Sequence, residues 1–192
     1  MKVQYIGGAY APGQFPDTTL PEIAFLGRSN VGKSSLINTL VGQRQLARVS
    51  STPGRTQAIH FFQIAEQFCL VDFPGYGYAK APKSVRSAWA PLIRSYLDTR
   101  PNLKGGLLLM DVRREPRQDE FDLVSEFRER GLLLLLVVTK IDKVAKTRRG
   151  GHVQKLAKAL GIPQQHALGF SAPKRLGREP LWKAIHALVG GK

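Results

Sequence analysis

The feature that most constrains this sequence is the run from Gly27 to Ser34, which fits the pattern G-x-x-x-x-G-K-S. The segment 22–26 before it, which is apolar after Glu22, predicts a buried strand, and the apolar spacing within residues 33–41 predicts a helix after it. Glycine at two positions lets the backbone curl so that successive N–H groups point inward at phosphate oxygens. Lys33 would then reach the β- and γ-phosphates, and the Ser34 hydroxyl would bind Mg²⁺. We predict a phosphate-binding loop made of Gly27, Arg28, Ser29, Asn30, Val31, Gly32, Lys33 and Ser34.

Strand and helix patterns alternate along the rest of the chain, which predicts the α/β class with a mostly parallel sheet. Ligands in such sheets bind at loops beyond the carboxyl ends of the strands. Pro91 lies inside one helical pattern and is expected to kink or split that helix. Residues 57–65 and 67–73 are predicted to pair as antiparallel strands. The other strands are predicted at residues 22–26, 107–111, 132–139 and 167–171, and the helices at 33–41, 83–98, 119–130, 147–160 and 179–189.

The charge of the chain is strongly positive, at +15, and unevenly distributed. Residues 1–139 carry 17 Lys and Arg against 12 Asp and Glu, whereas residues 140–192 carry 12 against 2. This asymmetry favours a polyanionic partner such as nucleic acid over an ordinary solvated surface. A membrane surface is less favoured, because no basic amphipathic helix or lipidation signal accompanies the charge.

Cys69 is the single cysteine, so a disulfide framework is excluded and a reducing, cytoplasmic compartment is expected.

The phosphate loop alone does not choose between ATP and GTP, so the motifs that follow it decide. Asp72 begins the sequence D-x-x-G at the end of a predicted strand, 38 residues after Ser34. In this place the Asp72 carboxylate would serve Mg²⁺, usually through a water, and the Gly75 N–H would sense the γ-phosphate.

The segment from Thr139 to Asp142 closes the most apolar predicted strand and resembles the guanine motif N/T-K-x-D. An aspartate accepts two hydrogen bonds from guanine N1–H and its exocyclic amine, a donor pair that adenine lacks, so Asp142 would select guanine. The stem of Lys140 would lie along the base. After the next predicted strand, Ser171 and Ala172 would offer backbone N–H groups to guanine O6.

A threonine between the first helix and the second strand could close on Mg²⁺ and the γ-phosphate in the triphosphate state. The segment T-P-G-R-T offers Thr52 and Thr56 for this role. Thr56 is preferred because it lies nearer the following strand.

With these motifs in order, the chain resembles the EngB (YihA/YsxC) family of bacterial GTPases, within the TrmE–Era–EngA–EngB group. The resemblance covers about residues 20–190. It is carried by Glu22-Ile23-Ala24-Phe25, Gly27 to Asn38, Thr52-Pro53-Gly54-Arg55-Thr56-Gln57, Asp72-Phe73-Pro74-Gly75-Tyr76-Gly77-Tyr78-Ala79, Asp111-Val112-Arg113 with Pro116 and Asp119, and Thr139-Lys140-Ile141-Asp142.

The resemblance implies a Ras-like P-loop domain over residues 21–190, with a six-stranded, mostly parallel sheet containing one antiparallel strand and helices on both faces. Residues 1–20 are then an N-terminal extension. It also implies GTP and Mg²⁺ binding by a monomer, a role in assembling the large ribosomal subunit, and an indirect requirement in cell division and septation. Its nucleotide contacts extend the site to Gly54, Arg55, Thr56, Gln57, Ala58, Phe73, Pro74, Gly75, Ile141 and Phe170; its metal ligands are Ser34, Thr56 and Asp72; and its catalytic residues are Asn30, Lys33, Thr56 and Gly75.

Two residues bear on the rate of hydrolysis. Tyr76 stands where many GTPases place a water-orienting glutamine, and a phenol cannot replace a carboxamide, so slow intrinsic hydrolysis is expected. In related GTPases an asparagine at the position of Asn30 helps bind K⁺, which would supply positive charge to the phosphates. A purely structural role for Asn30 in the loop is equally open.

An RNA-contacting face is predicted near the base-recognition segments, and we expect rRNA as its partner. Its proposed members are Lys143, Lys146, Arg148, Arg149, Lys155, Lys158, Lys174, Arg175 and Arg178. The alternative functions are a metabolic nucleotide kinase or ATPase, an RNA-modification GTPase, and a scaffold with degenerate nucleotide motifs. Intact Lys33, Ser34 and Asp72 argue against the scaffold, and Asp142 argues against the kinase.

Overall fold

The computed structural model describes residues 2–43, 46, 58–77 and 83–190, with the backbone alone for residues 83–90. The described residues form seven strands and five α-helices joined by short loops and 3₁₀ turns. The strands are β1 (Val3–Ala9), β2 (Glu22–Gly27), β3 (Ile59–Ile64), β4 (Phe68–Asp72), β5 (Leu103–Asp111), β6 (Leu133–Thr139) and β7 (Ala167–Gly169). The helices are α1 (Lys33–Val41), α2 (Lys83–Thr99), α3 (Gln118–Glu129), α4 (Arg149–Leu160) and α5 (Arg178–Val189).

The strands form one sheet in the order β1-β3-β4-β2-β5-β6-β7. Among them β3 runs antiparallel to both of its neighbours, and the remaining pairings are parallel. The α/β class and the single antiparallel strand are therefore confirmed, but the count of six strands is wrong. The additional strand is β1, which lies in the expected N-terminal extension and pairs with β3 at the sheet edge.

The missed strand carries a weak sequence signal. Its half-exposed residues, including Gly7 and Gly8, give neither the alternation nor the apolar run that marks a buried strand. Pairing with the edge of β3 compensates for this low intrinsic preference. Of the two outcomes expected at Pro91, the structure excludes splitting, because α2 continues through this residue as one helix.

Helices cover both faces of the sheet, as the alternation of buried residues in the strands requires. On β2, Ala24 and Leu26 pack into the core beneath α2, α3 and α4, whereas Ile23 and Phe25 pack into the core beneath α1 and α5. Strands buried on both faces read as continuous apolar runs, which is why the central strands were visible in the sequence.

A buried ion pair closes the end of the sheet opposite the phosphate loop. Glu22 is fully buried and pairs with Arg100 just after α2, while the Tyr96 hydroxyl donates to Glu22 Oε2 at 2.6 Å. Arg100 also donates to the Pro16 carbonyl at 3.1 Å. Burial, followed by the nearby Glu22 carboxylate, raises the pKa of Tyr96, so this phenol stays neutral as a donor.

We expect Arg100→Met to lower the free energy of unfolding by about 3–5 kcal/mol, because it leaves the Glu22 carboxylate buried without its cation. Equilibrium urea unfolding measures the change. The control is Lys2→Met, which removes an exposed pair with Glu66 and should cost about 1 kcal/mol or less. Equal midpoints for the two variants would contradict the assignment.

Candidate functional site

The predicted site residues lie together at the carboxyl ends of the parallel strands. The loop from Gly27 to Gly32 follows β2, and Asp72 ends β4. Thr139 ends β6, and Ser171 comes two residues after β7. The parallel sheet thus gathers four distant segments at one edge, where such folds bind ligands.

The backbone of the phosphate loop turns tightly, as its glycines predicted. Asn30 has φ 62° and Gly32 has φ 106°. Gly32 precedes the first helical residue of α1 in a left-handed conformation that favours glycine, and its carbonyl accepts from Leu36 N at 2.9 Å. The first N–H groups of α1 therefore point into the loop, which is the arrangement that binds phosphate.

Lys33 and Asp72 form a direct ion pair through Lys33 Nζ and Asp72 Oδ1. Both side chains are about one-tenth exposed. Lys33 lies in the first turn of α1, so its ammonium group and the helix terminus present positive charge together. The pairing places the lysine that would bind phosphate beside the carboxylate that would serve a metal.

A hydroxyl from Ser34 and a carboxylate from Asp72 fit Mg²⁺, which prefers a few protein oxygens together with phosphate oxygens and water. The buried position of Asp72 beside Lys33 supplies the fixed carboxylate that such a site requires. Thr56, the third expected ligand, lies outside the described residues, as do Gly54, Arg55 and Gln57.

Gly75 packs directly against the phosphate loop. Ser29 Oγ donates to the Gly75 carbonyl at 3.1 Å, and Ser29 N donates to the Tyr76 carbonyl at 2.9 Å. A Cβ on Gly75 would lie 3.0 Å from the Ser29 backbone nitrogen. Glycine is required here because two backbones meet, so the D-x-x-G segment is held against the phosphate loop.

The Thr139 hydroxyl contacts the backbone of the phosphate loop. Its buried Oγ1 lies 2.7 Å from the Val31 carbonyl and 3.1 Å from the Met110 carbonyl. Threonine at a position where asparagine is commoner therefore still ties the guanine motif to the loop. Lys140 adopts φ 58°, and its Nζ donates to the Asn30 carbonyl at 2.7 Å.

Asp142 and Ser171 are brought together as the sequence predicted. Ser171 Oγ donates to Asp142 Oδ1 at 2.6 Å, and Ile141 N donates to the Phe170 carbonyl at 3.3 Å. The hydrogen bond from Ser171 lowers the pKa of Asp142, so its carboxylate is ionised at neutral pH. An ionised acceptor at this edge has the chemistry needed to read guanine N1–H and the exocyclic amine.

Several predicted contact residues have buried side chains. Phe73, Ile141 and Phe170 pack in the core, and Ala58 is buried just before β3. Their side chains are unavailable for contacts at the surface, so they would serve a nucleotide through their backbone or by shaping the loops. Pro74 is buried as well, and Ala172 is partly buried.

The phenol of Tyr76 is a packing group in this structure. Tyr76 is 5% exposed, and burial together with the adjacent Glu120 carboxylate raises its pKa far above the ordinary value. Its side chain lies in the core beneath α2 and α3. The residue at the position of the usual water-orienting glutamine is therefore turned into the protein.

Sequence reasoning did not single out Asp111 as a site residue. Asp111 ends β5, is 4% exposed, and its Oδ2 lies 3.1 Å from Lys140 Nζ. Arg113 donates to both of its carboxylate oxygens, at 2.9 and 2.7 Å. A carboxylate at the carboxyl end of an apolar central strand was the signal that could have revealed it.

Three members of the predicted RNA-contacting face are engaged within the protein. Arg178 donates to the Thr39 and Leu40 carbonyls at the end of α1, and Arg149 donates to the Val144 carbonyl. Lys155 pairs with Glu115 at 2.6 Å while remaining exposed. The other exposed members are Lys143, Lys146, Arg148, Lys158, Lys174 and Arg175. Lys143 Nζ lies 3.8 Å from the carboxylate of its neighbour Asp142.

Within the described part of the chain, no helix is both long and apolar enough to cross a membrane.

Residues 22–140 match the family model described as "50S ribosome-binding GTPase". The chain is 49% identical over 182 residues to the "Probable GTP-binding protein EngB" of Syntrophotalea carbinolica, covering 95% of this chain and 88% of that protein. It is 45% identical over 189 residues to the protein of the same name from Pelobacter propionicus, covering 98% and 94%.

Solved structures agree with these sequence matches. The crystal structure of a probable GTP-binding protein engB superposes with a TM-score of 0.74 at 25% identity, covering 89% of this chain and all of that one. The G-domain of FeoB from Methanococcus jannaschii superposes with a TM-score of 0.55 at 26% identity, covering 90% of this chain and 99% of that one. The similarity therefore extends over nearly the whole chain in both sequence and fold.

Proposed function

Because the chain belongs to the EngB family of GTP-binding proteins, among the 50S ribosome-binding GTPases, we propose that it is a nucleotide-controlled switch in large-subunit assembly. The chain is a GTPase by family. The ribosomal role, the control by nucleotide state and the indirect need in septation are the parts proposed. The cytoplasm is the compartment proposed for this role.

One observation carries the proposal: the guanine-reading carboxylate and the phosphate-binding loop are tied into a single unit. Asp142 is positioned by Ser171, while Thr139 and Lys140 of the same motif contact the Val31 and Asn30 carbonyls. A change at the phosphates can therefore reach the base-reading segment through direct hydrogen bonds. A protein that distinguishes GTP from GDP also needs a group that senses the γ-phosphate, and the Gly75 N–H would fill this role from its position against Ser29.

The proposed chemistry is the attack of water on the γ-phosphate of GTP, which yields GDP and phosphate. Lys33 and the N-terminus of α1 would stabilise the negative charge on the phosphate oxygens. Mg²⁺ held by Ser34, Asp72 and Thr56 would supply charge neutralisation when bound. Gly75 would present its N–H to the γ-phosphate from its position against Ser29. Because the Tyr76 phenol is buried, no group at that position orients the water, and slow hydrolysis follows.

Potassium is proposed as an activating ion. The Asn30 backbone is in a left-handed conformation, and its carbonyl accepts a hydrogen bond from Lys140 Nζ. These two features fix the position from which the Asn30 side chain extends. We expect hydrolysis in K⁺ to exceed hydrolysis in Na⁺ by about tenfold, since a bound cation would act as a charge on the phosphates. Single-turnover hydrolysis at constant ionic strength measures this. Equal rates in both salts would contradict it.

The ribosomal partner is tested by co-sedimentation with isolated subunits in GTP, GDP and no nucleotide. Selective binding to the large subunit in one nucleotide state is expected, and binding to neither subunit in any state would overturn the proposal. The exposed basic residues predict that binding falls steeply with salt, by about 10³-fold between 50 and 200 mM salt if some six phosphates are contacted. A flat salt response would contradict the rRNA contact.

A further inference from the structure

Three arginines just after β5 form a basic group whose members do not belong to the predicted RNA-contacting face. We call this group the arginine cluster and define it as Arg113, Arg114 and Arg117. All three are exposed, and the Arg113 side chain retains 54% of its accessible surface. Arg114 and Arg117 form no ion pair with any of the described residues. Two of the three guanidinium groups are therefore available to an anion.

The arginine cluster lines a cavity beside the phosphate loop. The cavity has a volume of about 490 Å³, within the range of ligand-binding pockets. Arg28, Ser29 and Asn30 line it from the loop side. Of the three acidic residues lining it, Asp111 pairs with Arg113 and Lys140, Glu115 pairs with Lys155, and Glu120 caps α3 by accepting from Arg117 N at 2.8 Å. The acidic groups are thus already engaged, and the positive charge predominates.

An exposed aromatic residue lies next to the cluster. Phe121 is 41% exposed in the first turn of α3, and Arg117 is the N-cap residue that directly precedes this helix. Exposed aromatic rings beside arginines suit RNA, because unstacked bases stack on such rings while the arginines hold the backbone phosphates. A protein partner with an acidic surface would not need the ring.

The cluster is connected to the guanine site through one buried carboxylate. Asp111 receives both Arg113, at 2.9 and 2.7 Å, and Lys140, at 3.1 Å. Lys140 in turn donates to the Asn30 carbonyl at 2.7 Å. Burial alone would raise the pKa of Asp111, but the hydrogen bonds from Arg113 and Lys140 hold it below the ordinary value. The Asp111 carboxylate therefore attracts both the exposed Arg113 and Lys140 of the guanine motif.

We propose that the arginine cluster binds the phosphodiester backbone of RNA, and that Asp111 couples this binding to the guanine nucleotide through Lys140. The inference rests on the proposed function, to which it adds a contact surface and a route. Asp111 is a positioning residue here, because it acts through Lys140.

The direction of the coupling follows from the sharing of the Asp111 carboxylate. An RNA phosphate competes for Arg113 and draws it away from Asp111. Asp111 then attracts Lys140 alone, which weakens the bond from Lys140 to the Asn30 carbonyl and loosens the nucleotide site. RNA should therefore lower GDP affinity by about fivefold, and GDP should lower RNA affinity by the same factor.

The test measures GDP affinity of the full chain with and without single-stranded poly(U), and poly(U) affinity with and without GDP. Arg114→Gln with Arg117→Gln should weaken poly(U) binding at least fivefold while GDP affinity without RNA stays unchanged. Arg113→Gln should retain poly(U) binding through the other two arginines but lose the coupling. Asp111→Asn, which removes the shared charge, should lose the coupling as well.

The matched control is Lys104→Gln with Lys183→Gln, which removes the same charge from exposed positions outside the arginine cluster. The inference is overturned if this pair weakens poly(U) binding as much as the arginine pair, or if Arg113→Gln keeps the full coupling. Large-subunit binding that is independent of the cluster would overturn the inference and leave the proposed function standing. Absence of both poly(U) and subunit binding would overturn both.

Discussion

Asp142→Asn should reduce GTP affinity about 100-fold. The carboxylate accepts two hydrogen bonds from guanine, and each bond to a charged group contributes about 1.5–3 kcal/mol, so losing most of this recognition costs about 3 kcal/mol. The substituted amide would also face the guanine donors with donors of its own. Xanthosine triphosphate, which carries an acceptor at that edge, should bind the variant better than GTP does. Competition binding with GTP, ATP and xanthosine triphosphate measures the change.

The matched control for this prediction is Asp122→Asn. It makes the same chemical change at an exposed position on α3, where Asp122 accepts from Gln118 at 2.8 Å. Its nucleotide preference should match that of the unsubstituted chain. An Asp142→Asn variant that kept its preference for GTP would show that another group reads the guanine.

Lys33→Ala should lower the rate of GTP hydrolysis by about 10²–10³-fold. Lys33 is the cation beside Asp72 at the start of α1, and removing one preorganised charge donor from a phosphoryl-transfer site typically has an effect of this size. Single-turnover hydrolysis at saturating protein gives the chemical step. Thermal unfolding of the same sample shows whether the fold is intact.

Lys104→Ala serves as the control for Lys33→Ala, because Lys104 is an exposed lysine on β5 near the opposite end of the sheet. Its hydrolysis rate should equal that of the unsubstituted chain. A Lys33→Ala protein that is folded and hydrolyses GTP within threefold of the unsubstituted rate would show that the charge comes from another group.

The order and type of the central elements could be predicted from the sequence because their signals are local. Apolar runs such as residues 133–139 predict buried strands, and helical spacing with a terminal glycine, as at Gly42 and Gly161, predicts where helices end. Motif spacing also predicted that Asp142 and Ser171 would converge, since loops at the same ends of parallel strands lie together. The edge strand β1 was not predicted, because its stability comes from pairing with β3 rather than from its own residues.

By itself, the sequence determined the α/β class, the phosphate loop and the guanine-selecting aspartate, because each depends on residue types at short, fixed spacing. The tertiary structure alone decided that Tyr76 is buried rather than poised over a phosphate. It also decided that Arg178 caps α1 and that Asp111 joins Arg113 to Lys140. Those outcomes depend on contacts between residues far apart in the chain, whose distances are set only when the sheet and helices pack together.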